Sequence, residues 1–354
     1  YCGTGTSLVE ANLHNINAIG TDLNPLARLI SKVKTSKMNT QSLDLFIRDY
    51  NDFTFQLRFN GSNRKSVIIP KFDNIDFWFQ QAVIEDLGII KGYILEISDE
   101  NIKNFFKIAF SETVRESSLT RNGEFKLYKK SDKQMKDFKP DAYNIMLTKL
   151  LRNRKGYADY IQNLSKNVET QIYDFNTCGG IPPEVADEKT VDIVVTSPPY
   201  GDSRTTVAYG QFSRLANEWL DMPEARRIDS NLMGGTRLKE INSFGIQSID
   251  ATLDKVKNVD ENRALDVFSF YKDLFHSINN VSKIVKKNGY ACYVVGNRKV
   301  KGQVLPTDEI IVDMFLPNGF THKQTFIRNI PSKRMPSKNS PTNETGVLDS
   351  TMNH

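Results

Sequence analysis

The five residues Thr196-Ser197-Pro198-Pro199-Tyr200 leave the chain few possible paths. The apolar run before them, Val191-Asp192-Ile193-Val194-Val195, reads as a buried parallel strand. Two consecutive prolines lack N–H groups and hold their own φ, so the strand cannot continue past Ser197. The chain therefore leaves a sheet abruptly at the carboxyl end of a strand, where open α/β sheets bind ligands. The turn sets a hydroxyl, a stiff run of carbonyls and an aromatic ring side by side. That set suits a flat heterocycle, stacked on the ring and held through an exocyclic amine. A Pro-Pro loop after any strand satisfies the same letters, so the rest of the chain has to decide.

Elsewhere the pattern alternates between strand and helix. Cys2-Gly3-Thr4-Gly5-Thr6 is a glycine turn, Ser7 to His14 a short helix, Ile16 to Thr21 a short apolar strand, and Asn24-Pro25 a helix start. Near Val168 the alternation resumes, with a strand to Tyr173 and then the strand into Ser197. Tyr209 to Leu220, Ala264 to Val285 and Thr307 to Leu316 read as helices; Tyr290 to Gly296 and Phe320 to Ile330 read as strands. Lys286-Lys287-Asn288-Gly289 reads as a helix stop, and Arg227 to Asp260 as a long surface loop. Strands alternating with helices imply an α/β fold, mostly parallel, with helices on both faces of the sheet. Residues 39–165 break the pattern. They are dense in aromatics, look largely helical, and carry a basic stretch from Arg121 to Lys155 with eleven Lys and Arg against four Asp and Glu. The expected organisation is a first half-domain at 1–38, a helical insertion at 39–165 and a second half-domain at 166–354.

Gly3 and Gly5 let backbone approach a ligand closely at a helix N-terminus. Asp22 follows Gly5 by seventeen residues, at the end of the next apolar strand. A carboxylate there can take both hydroxyls of a ribose, as in the dinucleotide fingerprint. The same residue also reads as a plain cap in Asp22-Leu23-Asn24-Pro25. Residue 8 is Leu, so the third glycine of a pyrophosphate cradle is absent, which points to a nucleoside without phosphates.

With these segments together, the chain resembles the amino-group DNA methyltransferases that use S-adenosylmethionine. CGTGTSLVEA, GTDLNPLA and TSPPY carry the likeness, which covers most of residues 1–38 and 166–345. The resemblance implies a Rossmann-like methyltransferase sheet. It implies that Cys2, Gly3, Thr4, Gly5 and Thr6 form the cofactor turn, with Asp22, Leu23 and Asn24 at the ribose and Asp174 at the adenine ring. It makes Ser197, Pro198, Pro199 and Tyr200 the catalytic motif. A serine in its first position most resembles the branch that methylates N4 of cytosine, and an aspartate the branch that methylates N6 of adenine. The family's motif normally has Asp-Pro before the aromatic residue matched by Tyr1, so a strand and a methionine-contacting motif are expected upstream. A closing strand is expected after His354.

The chemistry of such a site is methyl transfer to an amine whose lone pair is delocalised into the base. The Ser197 hydroxyl and the Pro198 carbonyl are expected to draw that amine toward tetrahedral geometry, and Tyr200 to stack on a base flipped out of the duplex. A covalent cysteine route, as in carbon-5 methylation, is not expected, since none of Cys2, Cys178 and Cys292 follows a proline as that family's nucleophile does. No CxxC pair or clustered Cys and His suggests a metal, and no metal is expected. Arg204, beside Ser203 and Thr205, follows the catalytic turn; Lys333, Arg334 and Lys338 form a basic, proline-spaced stretch. These four are the expected DNA contacts. Tyr209 and Phe212 read as core, and Glu112, Arg115 and Glu116 as an ion-pair cluster along one helix. The net charge of +5 (47 basic against 42 acidic) leans toward an acidic partner. The expected partner is double-stranded DNA, with a cognate restriction endonuclease acting separately; no membrane is expected, and the location is cytoplasmic. Three other readings stay open: an adenine-N6 DNA methyltransferase, an RNA methyltransferase, and an inactive nucleic-acid-binding module.

Overall fold

A computed structural model describes residues 1–60, 66–121, 123, 126–164, 168–201 and 208–328. The chain forms two compact units, residues 1–176 with 207–232, and residues 177–206 with 233–354. These lines differ from the three segments drawn on the sequence.

In the first unit, α1 (Thr6–Leu13), β1 (Ala18–Thr21) and α2 (Pro25–Thr35) open the chain. Asn24 caps α2 by accepting from the Leu26 amide at 3.1 Å, and Pro25 takes the first helical position, where its missing N–H goes unused. The stretch dense in aromatics folds as α3 (Thr40–Asn60), α4 (Ile75–Trp78), α5 (Gln81–Glu96), α6 (Glu100–Ser117), α7 (Asp132–Lys136) and α8 (Ala142–Asn163). β2 (Thr170–Tyr173) returns to the sheet, and α9 (Tyr209–Trp219) and α10 (Ile228–Asn231) complete the unit.

One core joins these helices. Tyr50 meets Tyr93 and Phe106 edge to face at 5.3 and 6.1 Å, and Phe79 and Phe110 meet Trp219 at 5.7 and 6.1 Å. Val33 of α2 and Leu215 and Trp219 of α9 belong to the same cluster. Each such large side chain contributes about 1.5–3 kcal/mol by leaving water. The helices of the insertion therefore share a core with the helix that follows Asp22.

The second unit holds β3 (Val191–Thr196), α11 (Gln247–Val259), α12 (Glu261–Ile284), β4 (Val285–Tyr293), the hairpin β5 (Arg298–Val300) and β6 (Gln303–Leu305), and α13 (Thr307–Phe315). Gly319 closes the turn after α13 with a φ of 80°.

The described strands pair in twos: β1 with β2 and β3 with β4, both parallel, and β5 with β6 antiparallel. Four expectations are corrected. The strand into Ser197 is not buried on both faces. Ile193 and Val195 are 43% and 47% exposed, and across the pair Tyr290 and Val294 are each 58% exposed. The opposite face carries buried Thr196, so this two-stranded ribbon has one covered face and one open one. Lys286 to Gly289 follows the end of α12 at Ile284, as a helix stop does, but the next strand does not wait until Tyr290, because these residues lie inside β4. Asn288 adopts a φ of 64°, and between Val285 and Tyr290 five steps of β4 match two steps of β3, from Val191 to Ile193. The segment 227–260 is not one loop but contains α10 and α11. Residues 320–328 form no strand: Phe326 and Ile327 are 83% and 84% exposed, with no partner strand beside them among the described residues.

Candidate active site

The two expected halves of the site lie in different units, and each is built locally. In the first unit the parallel register ends on Thr21 opposite Tyr173. The two residues that follow, Asp22 and Asp174, therefore leave neighbouring strands at the same end. Thr21 fastens that end: its hydroxyl donates to the Phe175 carbonyl at 2.8 Å and accepts from the Phe175 amide at 3.4 Å.

The glycine turn hangs from this end. The Cys2 amide donates to the Thr21 carbonyl at 2.8 Å, and the Gly5 amide to the Cys2 carbonyl at 2.8 Å. Helix α2 supplies two further bonds, Ser31 Oγ to the Gly3 carbonyl at 3.0 Å and Lys34 Nζ to the Thr4 carbonyl at 2.9 Å. Gly5, at the start of α1, has a φ of 77°, and a Cβ there would meet the Ser31 backbone at 2.9 Å. Only glycine combines that conformation with that approach. Gly3 has a φ of 50° and opens onto free space, so backbone there is accessible to a ligand. Thr6 is the first residue of α1 and is exposed.

The Asp22 carboxylate ties turn and helix together. One oxygen accepts from the Gly3 amide at 3.0 Å and the other from the Asn24 amide at 2.9 Å. A carboxylate oxygen has two acceptor positions, so each retains capacity for a hydroxyl. Burial pushes the Asp22 carboxyl up from the ordinary value, against the Asn24 and Gly3 amides and the Arg28 charge, which pull it down.

Arg28 was missed by the reading of the sequence. Its guanidinium donates to the carbonyls of Asp22 at 2.7 Å and Leu23 at 3.0 Å, and pairs with the Asp174 carboxylate at 2.7 Å. One side chain thus clamps the Asp174 carboxylate together with the Asp22 and Leu23 backbone carbonyls. A signal was available, because a cation near the N-terminal end of a helix opposes the helix dipole and calls for a specific partner.

In the second unit, β3 ends at Thr196 and the proline turn follows. The Val294 amide donates to the Thr196 carbonyl at 2.9 Å, holding the last residue before Ser197. Ser197 is exposed, Pro198 buried, and Pro199 and Tyr200 half-buried. The turn thus presents its hydroxyl to solvent and its first proline to the protein. A Cβ on Gly296 would stand 3.9 Å from the Tyr200 ring, so the strip after β4 runs beside that ring. Cys178, in this unit, is inert: burial pushes its thiol up to about 12.

Several other readings change. Arg204, Lys333, Arg334 and Lys338, with Ser203 and Thr205, lie outside the described residues. Tyr209 and Phe212 are not core, being 39% and 42% exposed. Arg115 stacks over the Phe212 ring at 3.8 Å and donates to the Phe212 carbonyl at 2.9 Å. Glu112 and Glu116 do not pair along their own helix; they bind Arg152 and Lys149 of α8. The basic stretch is partly spent inside the fold. Arg154 pairs with Asp44 at 2.6 Å, and Lys130 donates to the carbonyls of Ser118 and Thr120 at 2.8 and 2.6 Å. Among the described residues, no His, Cys, Asp and Glu group has metal-binding geometry, and no helix is long and apolar enough to cross a membrane.

No protein-family model matches the chain, and no solved structure matches it. A curated relative does: the Type II methyltransferase M.MvaI of Kocuria varians is 40% identical over 368 residues, covering 99% of this chain and 81% of the relative. With that identity over nearly its whole length, the chain belongs to the type II methyltransferases.

Proposed function

We propose that this protein transfers a methyl group from S-adenosylmethionine to the exocyclic N4 of cytosine in double-stranded DNA. It protects DNA in a restriction–modification system, beside a separate cognate endonuclease, in the cytoplasm. The observation that carries the reading is the Ser197–Tyr200 turn at the carboxyl end of β3, in a chain related to a type II methyltransferase. The proposed architecture is the Rossmann-like sheet of that family.

The first unit suits the cofactor. Gly3 leaves open space where a side chain would stand, and both Asp22 oxygens have acceptor capacity left for ribose hydroxyls. In this reading Cys2 to Thr6 support the cofactor, Asp22, Leu23 and Asn24 line the ribose, and Asp174, oriented by Arg28, faces the adenine. When bound, S-adenosylmethionine supplies an electrophilic methyl carbon on a sulfonium.

The chain's own residues act on the acceptor. The Ser197 hydroxyl and the Pro198 carbonyl accept hydrogen bonds from the cytosine amine and localise its lone pair. Neither Pro198 nor Pro199 carries an N–H, so neither proline can itself donate to the Pro198 carbonyl. Tyr200 stacks on the base after it leaves the duplex, which takes a few kcal/mol of unstacking. Arg204, Lys333, Arg334 and Lys338 are proposed to contact DNA phosphates, and residues 39–165 to read the target. Serine at position 197 favours cytosine over adenine.

The test is nucleoside mass analysis of DNA from cells expressing the full-length protein. N4-methylcytosine is the expected product. N6-methyladenine as the only modified base would move the activity to adenine. Methylated RNA with unmodified DNA, or no product at all, would overturn the reading.

A further inference from the structure

Helix α9 begins nine residues after Tyr200 and belongs to the first unit. It carries two buried polar side chains, Ser213 and Asn217, on one face at i and i+4. Neither serves a helix cap. Both reach Asn24. The Asn24 Nδ2 donates to Ser213 Oγ at 3.0 Å, and the Asn217 Nδ2 lies 3.4 Å from Asn24 Oδ1 and 3.3 Å from Ser213 Oγ.

The direction of these bonds follows from the backbone. Asn24 Oδ1 already accepts from the Leu26 amide, so its amide nitrogen must face Ser213 and Asn217 must donate. Ser213 then accepts twice and donates once, to the carbonyls of Tyr209 or Gly210 at 3.3 Å, which uses every bond a hydroxyl can make. Asn217 is fully buried, and its Oδ1 has no hydrogen-bond partner among the described residues. An orphaned buried acceptor is unfavourable. An apolar residue would fill the position without it, but would remove one of the side-chain bonds that hold Asn24.

Asn24 is the residue whose amide holds one oxygen of the Asp22 carboxylate, at 2.9 Å. We infer that Ser213 and Asn217 are positioning residues of the cofactor site: they fix Asn24, and Asn24 fixes the carboxylate. The inference rests on the reading of Asp22 as the ribose ligand. It makes the helix that follows the catalytic turn a determinant of cofactor affinity, although neither side chain touches the cofactor.

The experiment measures S-adenosylmethionine affinity by titration calorimetry, melting temperature without cofactor, and kcat at saturating cofactor. It is run on the full-length protein, Ser213→Ala, Asn217→Leu and Asp22→Ala. The expected result is a dissociation constant raised about tenfold in each α9 variant, with kcat within twofold of wild type and a larger loss of affinity in Asp22→Ala. If either α9 variant fails to fold, the other carries the test. Melting temperatures that fall while affinity stays at the wild-type value make the pair purely structural and overturn the inference, provided Asp22→Ala has lost affinity. If Asp22→Ala binds as wild type, the ribose assignment itself fails, and the inference fails with it.

Discussion

The glycine turn and the proline turn solve the same problem by opposite means. Each follows or flanks a short strand of a parallel pair, and each must present backbone to a ligand. The glycine turn is held from outside, by bonds from β1, the Asp22 carboxylate and two side chains of α2. The proline turn carries a constraint within its own residues, two fixed φ angles that follow Thr196, whose carbonyl accepts from the Val294 amide. Damage to the first should therefore come from many positions, some distant in sequence. Damage to the second should come mainly from its own residues.

The sharpest way to break that contrast is Gly5→Ala. The new methyl would stand 2.9 Å from the Ser31 backbone at a φ of 77°. Left-handed backbone costs about 1–2 kcal/mol and overpacking about 1–3 kcal/mol, so about 2–5 kcal/mol of stability should be lost in chemical denaturation. Ser197→Ala should do the reverse. Its side chain is exposed, so the melting temperature should hold, while single-turnover methylation slows on the order of a hundredfold, as when one preorganised partner of a reacting group is removed. Arg28→Ala releases Asp174 and the Asp22 and Leu23 carbonyls together. Cofactor affinity should fall about tenfold, equivalent to about 1.4 kcal/mol, measured by calorimetry. Pro199→Ala tests the inner constraint alone, and should cost only about 0.4–1 kcal/mol, since the prolines act chiefly on the unfolded chain.

A pH series sharpens the glycine half. Burial raises the Asp22 carboxyl, so the fold favours its neutral form. Stability from this group is full below the ordinary carboxylate value and is lost as the pH rises through the raised one. Ribose hydroxyls donate to the ionised form, so cofactor affinity should weaken as the pH falls through that raised value. Asp22→Asn should bind more weakly and show no such dependence.

The sequence disclosed both turns because each depends on residues with unusual backbone. Two prolines end a strand and a glycine pair opens a helix regardless of what surrounds them. The place of Asp22 directly after a strand was legible in the apolar run before it. What stayed hidden depends on contacts between distant segments: Arg28 reaching Asp174, Ser31 reaching Gly3, and Asn217 reaching Asn24. The strand order was legible only in part. Apolar residues on both faces of Val191–Thr196 read as full burial, yet one face of the β3–β4 pair is open. Residues 286–289 carry a helix-stop composition and α12 does end just before them, at Ile284; their place as a bulge inside β4 depends on pairing with β3 and was not legible.

The contrast rests on a division of labour, and two variants test it in one measurement. Cofactor dissociation constants and single-turnover methylation rates at saturating cofactor are compared for Asp22→Ala and Ser197→Ala. The first should lose affinity and keep most of its rate once loaded; the second should bind as wild type and lose its rate. Ser197→Ala binding as poorly as Asp22→Ala, or Asp22→Ala binding as well as wild type, would contradict the assignment of the two turns.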